Sequence, residues 1–121
     1  MLNVLKAAAL IAAKKDIRFY LNGVHIFRDD KGEIWLEASN GHVAMKTQLN
    51  EENIVQNVRE PFDVIVPILD VQLAVKHLKF AVLNIDDLCF SESIKFKPID
   101  GRYPDLQRVL NRNKMSRNKP A

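Results

Sequence analysis

"FDVIVPILDVQLAVKHLK", residues Phe62 to Lys79, changes its hydrophobic period part-way along. The first six residues read as a buried strand, closed by Pro67 because proline has no N–H to give to a ladder. From Ile68 the spacing becomes helical: Ile68, Val71, Val75 and Leu78 make an apolar stripe, while Gln72, Lys76 and Lys79 make a polar one. A strand that runs straight into an amphipathic helix sets the fold class, provided the flanking sequence supplies the rest of the sheet.

Upstream, Leu2 to about Lys15 repeats the helical pattern. Leu2, Leu5, Ala9 and Ala12 lie with Val4, Ala8 and Ile11, and Asn3, Lys6 and Lys14 fall opposite. Period two then takes over in "IRFYL", where Ile17, Phe19 and Leu21 point one way and Arg18 and Tyr20 the other, so a strand is expected there. Asn22-Gly23 interrupts it before "VHIF", as a tight hairpin turn or as a bulge in one long strand. "RDDKGE" reads as a hairpin connection, "IWLEAS" as the returning strand, and "NGHVAMKTQL" as an extended continuation after an Asn-Gly kink. Residues 50–60 are polar and loop-like.

Downstream, "FAVLNI" and "LCFSESIKFKPI" read as two strands joined at Asp86-Asp87. "DGRYPDLQRVL", Asp100 to Leu110, then stops the sheet: Asp-Gly favours a turn, Pro104 forbids a regular ladder bond, and a short helical turn follows. The order is helix, antiparallel strands, helix, more strands, which is α+β with two helices available to cover one face of a sheet.

At 121 residues this is one domain, able to bury a core without disulfides or metal. A single cysteine, Cys89, and no signal-peptide pattern favour a cytoplasmic setting. The apolar opening is interrupted by Lys6 and is only about half the roughly 20 residues of a membrane span, so no membrane association is expected. The formal charge of +3 permits an anionic partner without demanding one. Residues 111–121 carry Arg112, Lys114, Arg117 and Lys119 with no acid, and read as a basic, disordered tail after a domain spanning residues 1–110.

No catalytic constellation is legible. His25, His42 and His77 lie on different elements without metal-ligand spacing, and the paired acids Asp29-Asp30, Glu51-Glu52 and Asp86-Asp87 sit in turns or loops. There is no phosphate-cradling glycine loop and no nucleophile elbow, so a non-enzymatic protein without cofactor or metal is expected.

Four stretches, taken in order, carry a resemblance: "DIRFYLNGVHIF", "EASNGHVAM", "FDVIVP" followed by a helix, and "KPIDGRYPDLQRVL". Together they resemble the central domain of the bacterial replicative sliding clamp, the β subunit of DNA polymerase III, from the first helix to about Leu110. The resemblance implies two helices packed on one face of an antiparallel sheet. It also implies a ring of six such domains whose helices face duplex DNA, bound without sequence preference. Lys6, Lys14, Lys15, Lys76 and Lys79 would then line the DNA side, held opposite phosphates through water.

The same resemblance implies a cleft for the short peptides of DNA polymerases, the clamp loader and repair proteins. Its positions fall here on Arg18, Leu21, Ser39, Gly41, His42, Pro104 and Val109. Leu21, Pro104 and Val109 would supply an apolar floor. Where the family commonly has Arg-Leu after Gly-His, this chain has Val43-Ala44, which removes a donor and shrinks an apolar wall. The leading expectation is a homo-oligomeric processivity factor that tethers replication or repair proteins to DNA. The rival is a clamp-domain interaction module that binds the host clamp or clamp-binding proteins without encircling DNA. The start at Met1 in frame with the first helix, and the tail after Leu110, argue for a stand-alone domain over a fragment of a longer clamp.

Overall fold

The computed structural model describes residues 1–111, so the basic tail lies outside the described residues. Among the described residues two longer α-helices, α1 (Leu2–Ile11) and α2 (Ile68–His77), lie on two four-stranded sheets, and residues 107–111 form a short helical segment. The first sheet has the order β3-β2-β1-β5 and is antiparallel throughout: β1 (Gly23–Arg28), β2 (Ile34–Ser39), β3 (Ala44–Leu49) and β5 (Phe62–Pro67). The second, β4-β6-β7-β8, is made of short strands: β4 (Ile54–Val55), β6 (Leu83–Asn84), β7 (Cys89–Ser91) and β8 (Ile94–Lys95). The α+β class and the pairing of both helices with one sheet face follow the sequence expectation; the second sheet, with its parallel β4–β6 pair, does not.

The core sits between helices and sheets. Leu5 and Ala8 of α1, and Val71 and Ala74 of α2, meet Val24, Ile26, Leu36 and Val66 of the first sheet and Leu83 and Phe90 of the second in one buried cluster. The period-two alternation of β1 and β2 puts His25, Phe27, Trp35 and Glu37 on the opposite face. That face is not bare. The chain after β8 returns along β5, where Ile99 N–H donates to the Ile65 carbonyl at 2.9 Å, and Tyr103 stacks on the His25 ring. A second apolar cluster of Ala13, Leu21, Ala44, Ile65, Tyr103 and Leu106 forms beneath this return.

Several local expectations are corrected. α1 ends at Ile11 rather than near Lys15, because Ala12 turns to extended backbone and the Lys14 ammonium folds back to donate to the carbonyls of Ala9 and Ala12. "IRFYL" is not a strand. Asp16 accepts from the Arg18 N–H at 2.8 Å, and Asn22 clasps Asp16 twice, Asp16 N–H to Asn22 Oδ1 at 2.8 Å and Asn22 Nδ2 to the Asp16 carbonyl at 3.0 Å. Those side-chain bonds close the loop around a 3-10 turn, Phe19–Leu21, and outcompete a ladder.

Gly23 is neither a hairpin turn nor a bulge but the first residue of β1, where a Cβ would meet the Val66 carbonyl oxygen at 2.6 Å. "NGHVAM" does not continue its strand. Asn40 Oδ1 accepts from the N–H groups of His42 and Val43, and Gly41 takes φ +94°, so the chain reverses into β3. "LCFSESIKFKPI" is likewise a hairpin, β7 and β8, rather than one strand. The "RDDKGE" connection and the Phe62–Pro67 strand stand as read, and α2 stops two residues before Lys79.

Candidate functional site

Two surfaces bear on the expected roles, and the first is the helix layer. Lys6 on α1, Lys76 on α2, Lys79 just past α2, and Lys14 and Lys15 after α1 are all exposed. Lys6, Lys15, Lys76 and Lys79 make no hydrogen bond or ion pair among the described residues, whereas Lys14 is engaged as the cap of α1. The same layer also shows apolar side chains to solvent: Leu10 is 86% exposed, Leu69 70% and Phe80 84%. Leu69 and Leu73 lie one turn apart on the side of α2 opposite Ile68, Val71 and Ala74. Asp70 is the acid on α2, and burial raises its pKa above the ordinary value of 3.8.

Between the loop after α1, the first turn of α2 and the return segment at Ile99 lies an open groove of about 630 Å3. Its walls are Phe19, Pro67, Ile68, Leu69 and Ile99. Lys14, Lys15, Asn22 and Gln72 supply its polar edge. The sequence reading did not find this groove. Of its lining only Leu69, off the core stripe of α2, stood out in the sequence, and that alone does not locate it.

The second surface gathers the expected cleft residues from three separated stretches. The Arg18 guanidinium forks onto Asp16, Nε to Oδ1 at 3.0 Å and Nη2 to Oδ2 at 2.9 Å. It also backs onto Gly41, where a Cβ would come within 2.7 Å of it. These hydrogen bonds hold the Asp16 carboxyl down at about 2, below its ordinary 3.8. Ser39 is buried, its hydroxyl donating to the Val43 carbonyl at 2.9 Å and accepting from Gly41 N–H at 2.9 Å. His42 is exposed at the tip of the turn.

Leu21, Ala44 and the half-buried Val109 belong to the second apolar cluster, with half-buried Pro104 next to Tyr103 in the chain. Leu21 is only 2% exposed and sits on a 3-10 turn, so it underlies the patch instead of standing on a neighbouring strand. Arg18, Leu21, Ser39, Gly41 and Val109 are thus brought to one region, while the lysines form a separate surface. Lys14 and Lys15 edge the groove, and its wall residue Ile99 packs against the cluster of Leu21 and Tyr103.

The outer sheet face holds a feature that sequence reading missed. His25 lies between Glu37 and Asp63, Nδ1 to Glu37 Oε1 at 2.7 Å and Nε2 to Asp63 Oδ1 at 2.8 Å. The two carboxylates flank the ring instead of converging. Among the described residues no group of three His, Cys, Asp or Glu could hold a metal ion. Phe27 and Tyr103 stack on the ring, each with centroids 4.7 Å from it. Burial is the main cause of a raised Tyr103 pKa, and the Glu37 charge adds to it.

The arrangement of two helices over a meander of strands, with a return segment along β5, is shared with solved bacterial clamps. The Pseudomonas aeruginosa DNA polymerase sliding clamp with ligand superposes with a TM-score of 0.69 at 22% identity, over 89% of this chain and 31% of that one. The Helicobacter pylori beta clamp bound to a DNA ligase peptide gives 0.69 at 17% identity, over 89% and 32%. The fold is that of a sliding-clamp domain. Sequence similarity points the same way: the beta sliding clamp of Buchnera aphidicola is 28% identical across 84% of this chain. This chain is therefore similar, in sequence and in fold, to one part of the bacterial clamp, and it spans about 30% of the length of the clamps it matches. No family model matches the chain. Among the described residues no helix is long and apolar enough to cross a membrane.

Proposed function

We propose that this domain, residues 1–110, is a sliding-clamp-like processivity factor that assembles around duplex DNA and tethers replication or repair proteins to it. The observation that carries this reading is the helix layer. Lys6 on α1, Lys76 on α2, and Lys15 and Lys79 just past those helices are exposed and unpaired among the described residues, as suits cations that meet phosphates without base contacts. A compact domain of this size has a radius of gyration of roughly 14 Å, so one copy cannot surround a duplex, and about six would be needed. Peptide capture at Arg18, Leu21, Ser39, Gly41, His42, Pro104 and Val109 is the second half of the proposal. The Helicobacter clamp bound to a DNA ligase peptide is a relative that binds such a segment.

Light scattering of the full chain, with and without a duplex oligonucleotide, tests the ring. A mass near six copies supports it. Monomer at high concentration in both conditions removes it and leaves the second reading, a module that binds a clamp or clamp-binding proteins without encircling DNA. The specific observation favouring that second reading is the exposure of Leu10, Leu69 and Leu73 among the lysines, since leucine gains nothing from a hydrated duplex.

A further inference from the structure

We propose that the outer face of the helix layer, α1 together with α2, lies against an anionic lipid surface. The helical period fixes that face. At about 100° per residue, Asn3, Lys6 and Leu10 fall within about 60° of arc on α1, opposite the buried Leu5 and Ala8. Leu69, Leu73 and Lys76 fall within about 60° of arc on α2, opposite the buried Ile68, Val71 and Ala74. The two helices pack against each other and bury those residues in one core cluster, so both strips lie on the sides away from that core. Each strip sets leucine beside lysine in open solvent.

Charge and apolar area together select the partner. Residues 2–15 and 68–80 carry Lys6, Lys14, Lys15, Lys76 and Lys79 against one acid, Asp70, which is half-buried. A second copy presented face to face would bring like charges together. A duplex would engage the lysines but leave Leu10, Leu69 and Leu73 in water. An anionic bilayer surface uses both: its phosphates meet the ammonium groups, and the layer beneath accepts the leucines while the lysine stems lie along them. Spanning a bilayer needs roughly 20 apolar residues, which neither helix has, whereas lying on one needs only such a mixed face. A single copy suffices, so the inference does not rest on ring assembly.

The test is co-sedimentation of the full chain with vesicles of phosphatidylcholine alone, and with vesicles of phosphatidylcholine and phosphatidylglycerol in equal parts. The mixed vesicles should bind the chain, and phosphatidylcholine alone should bind it about tenfold more weakly or less. Leu10→Gln, Leu69→Gln and Leu73→Gln together, with an unchanged far-ultraviolet circular dichroism spectrum, should weaken binding to the mixed vesicles by about tenfold or more and leave duplex binding as it was. A fluorescent reporter tests which face is engaged. Leu69→Trp in a Trp35→Phe background should be quenched by mixed vesicles with brominated acyl chains, whereas Trp35 of the parent, on the opposite face of the first sheet, should not. The proposal is overturned by absence of binding to the mixed vesicles, by quenching of Trp35, or by a triple variant that binds them equally, which assigns the attraction to the lysines or to residues 111–121 alone. It is also overturned by self-association without vesicle binding that the triple variant abolishes, which assigns the leucines to a second copy.

Discussion

His25 and Glu37 face each other across β1 and β2 as register partners, with Nδ1 2.7 Å from Oε1 and both side chains nearly buried. The ring ties β2, β1 and β5 together through a contact at each nitrogen and offers its face to Tyr103. We predict that His25→Leu costs about 1–3 kcal/mol, because Glu37 Oε1 is left buried without its hydrogen-bond partner. The double variant with Glu37→Leu should recover most of that loss. Urea unfolding of the two variants checks it, and equal stability of single and double variants would sink the idea.

Gly23 offers a backbone test of the same sheet. A Cβ there would meet the Val66 oxygen at 2.6 Å and Ile65 Cγ2 at 2.8 Å, neither of which is a flexible side-chain end. Gly23→Ala should cost about 1–3 kcal/mol by overpacking the β1–β5 junction. A melting temperature within a degree of the parent would show that the strands separate freely.

Acid stability should depend on Asp16. Its folded carboxyl titrates at about 2 against an ordinary 3.8, so its contribution is complete above about pH 4 and is lost as pH falls toward 2. Glu51, lowered chiefly by its hydrogen bonds from Arg28, moves the same way. Asp16→Asn should flatten the pH dependence of the melting temperature between pH 4 and 2. An unchanged slope places the acid-sensitive group elsewhere.

For the lysine surface, replacing Lys6, Lys15, Lys76 and Lys79 by alanine should reduce the salt dependence of duplex binding by about 0.9 logarithmic units of slope for each phosphate no longer neutralised. Lys14 is left out because its ammonium caps α1 and its removal would fray the helix. Retention of the full slope would assign DNA binding to residues 112–121.

At the cleft, Val43→Arg combined with Ala44→Leu should strengthen capture of a DNA ligase clamp-binding peptide by about tenfold, one added donor and one restored apolar wall. Val43 is exposed and accepts the addition, whereas Ala44 is buried and tests whether the second cluster can repack. Amide shifts at His42 and Val109 read the result, and no gain would detach this surface from the family's peptide cleft.

Much of the fold was legible because period and turn chemistry agreed. Phe62–Pro67 running into α2, and the Asp29 hairpin, are places where local pattern and tertiary packing ask for the same thing. Misreadings came where side chains overrode the pattern. Asp16 and Asn22 bond across their loop and erase an apparent strand, Asn40 turns a chain that alternation would have continued, and Lys14 ends a helix that spacing would have extended. Spacing placed Lys6 and Lys76 on their helices, but Lys14, Lys15 and Lys79 lie just past the helix ends. The groove could not be read, since Phe19, Leu69 and Ile99 come from three stretches that only the return of the chain along β5 brings together.

The parallel pairing of β4 with β6 bears on the order in which the molecule assembles. β1, β2 and β3 join through short reversals and can zip as a meander, but Ile54 meets Leu83 only after the intervening β5 and α2 have folded back. Closing that long loop is entropically uphill until α2 has docked, so the small sheet forms late and reopens first. In native-state amide exchange, Ile85, whose N–H donates to the Val55 carbonyl, should trade hydrogen well before Ile26 or Leu36. One end of the domain would then breathe on its own while the lysine-bearing helices stay seated on the meander.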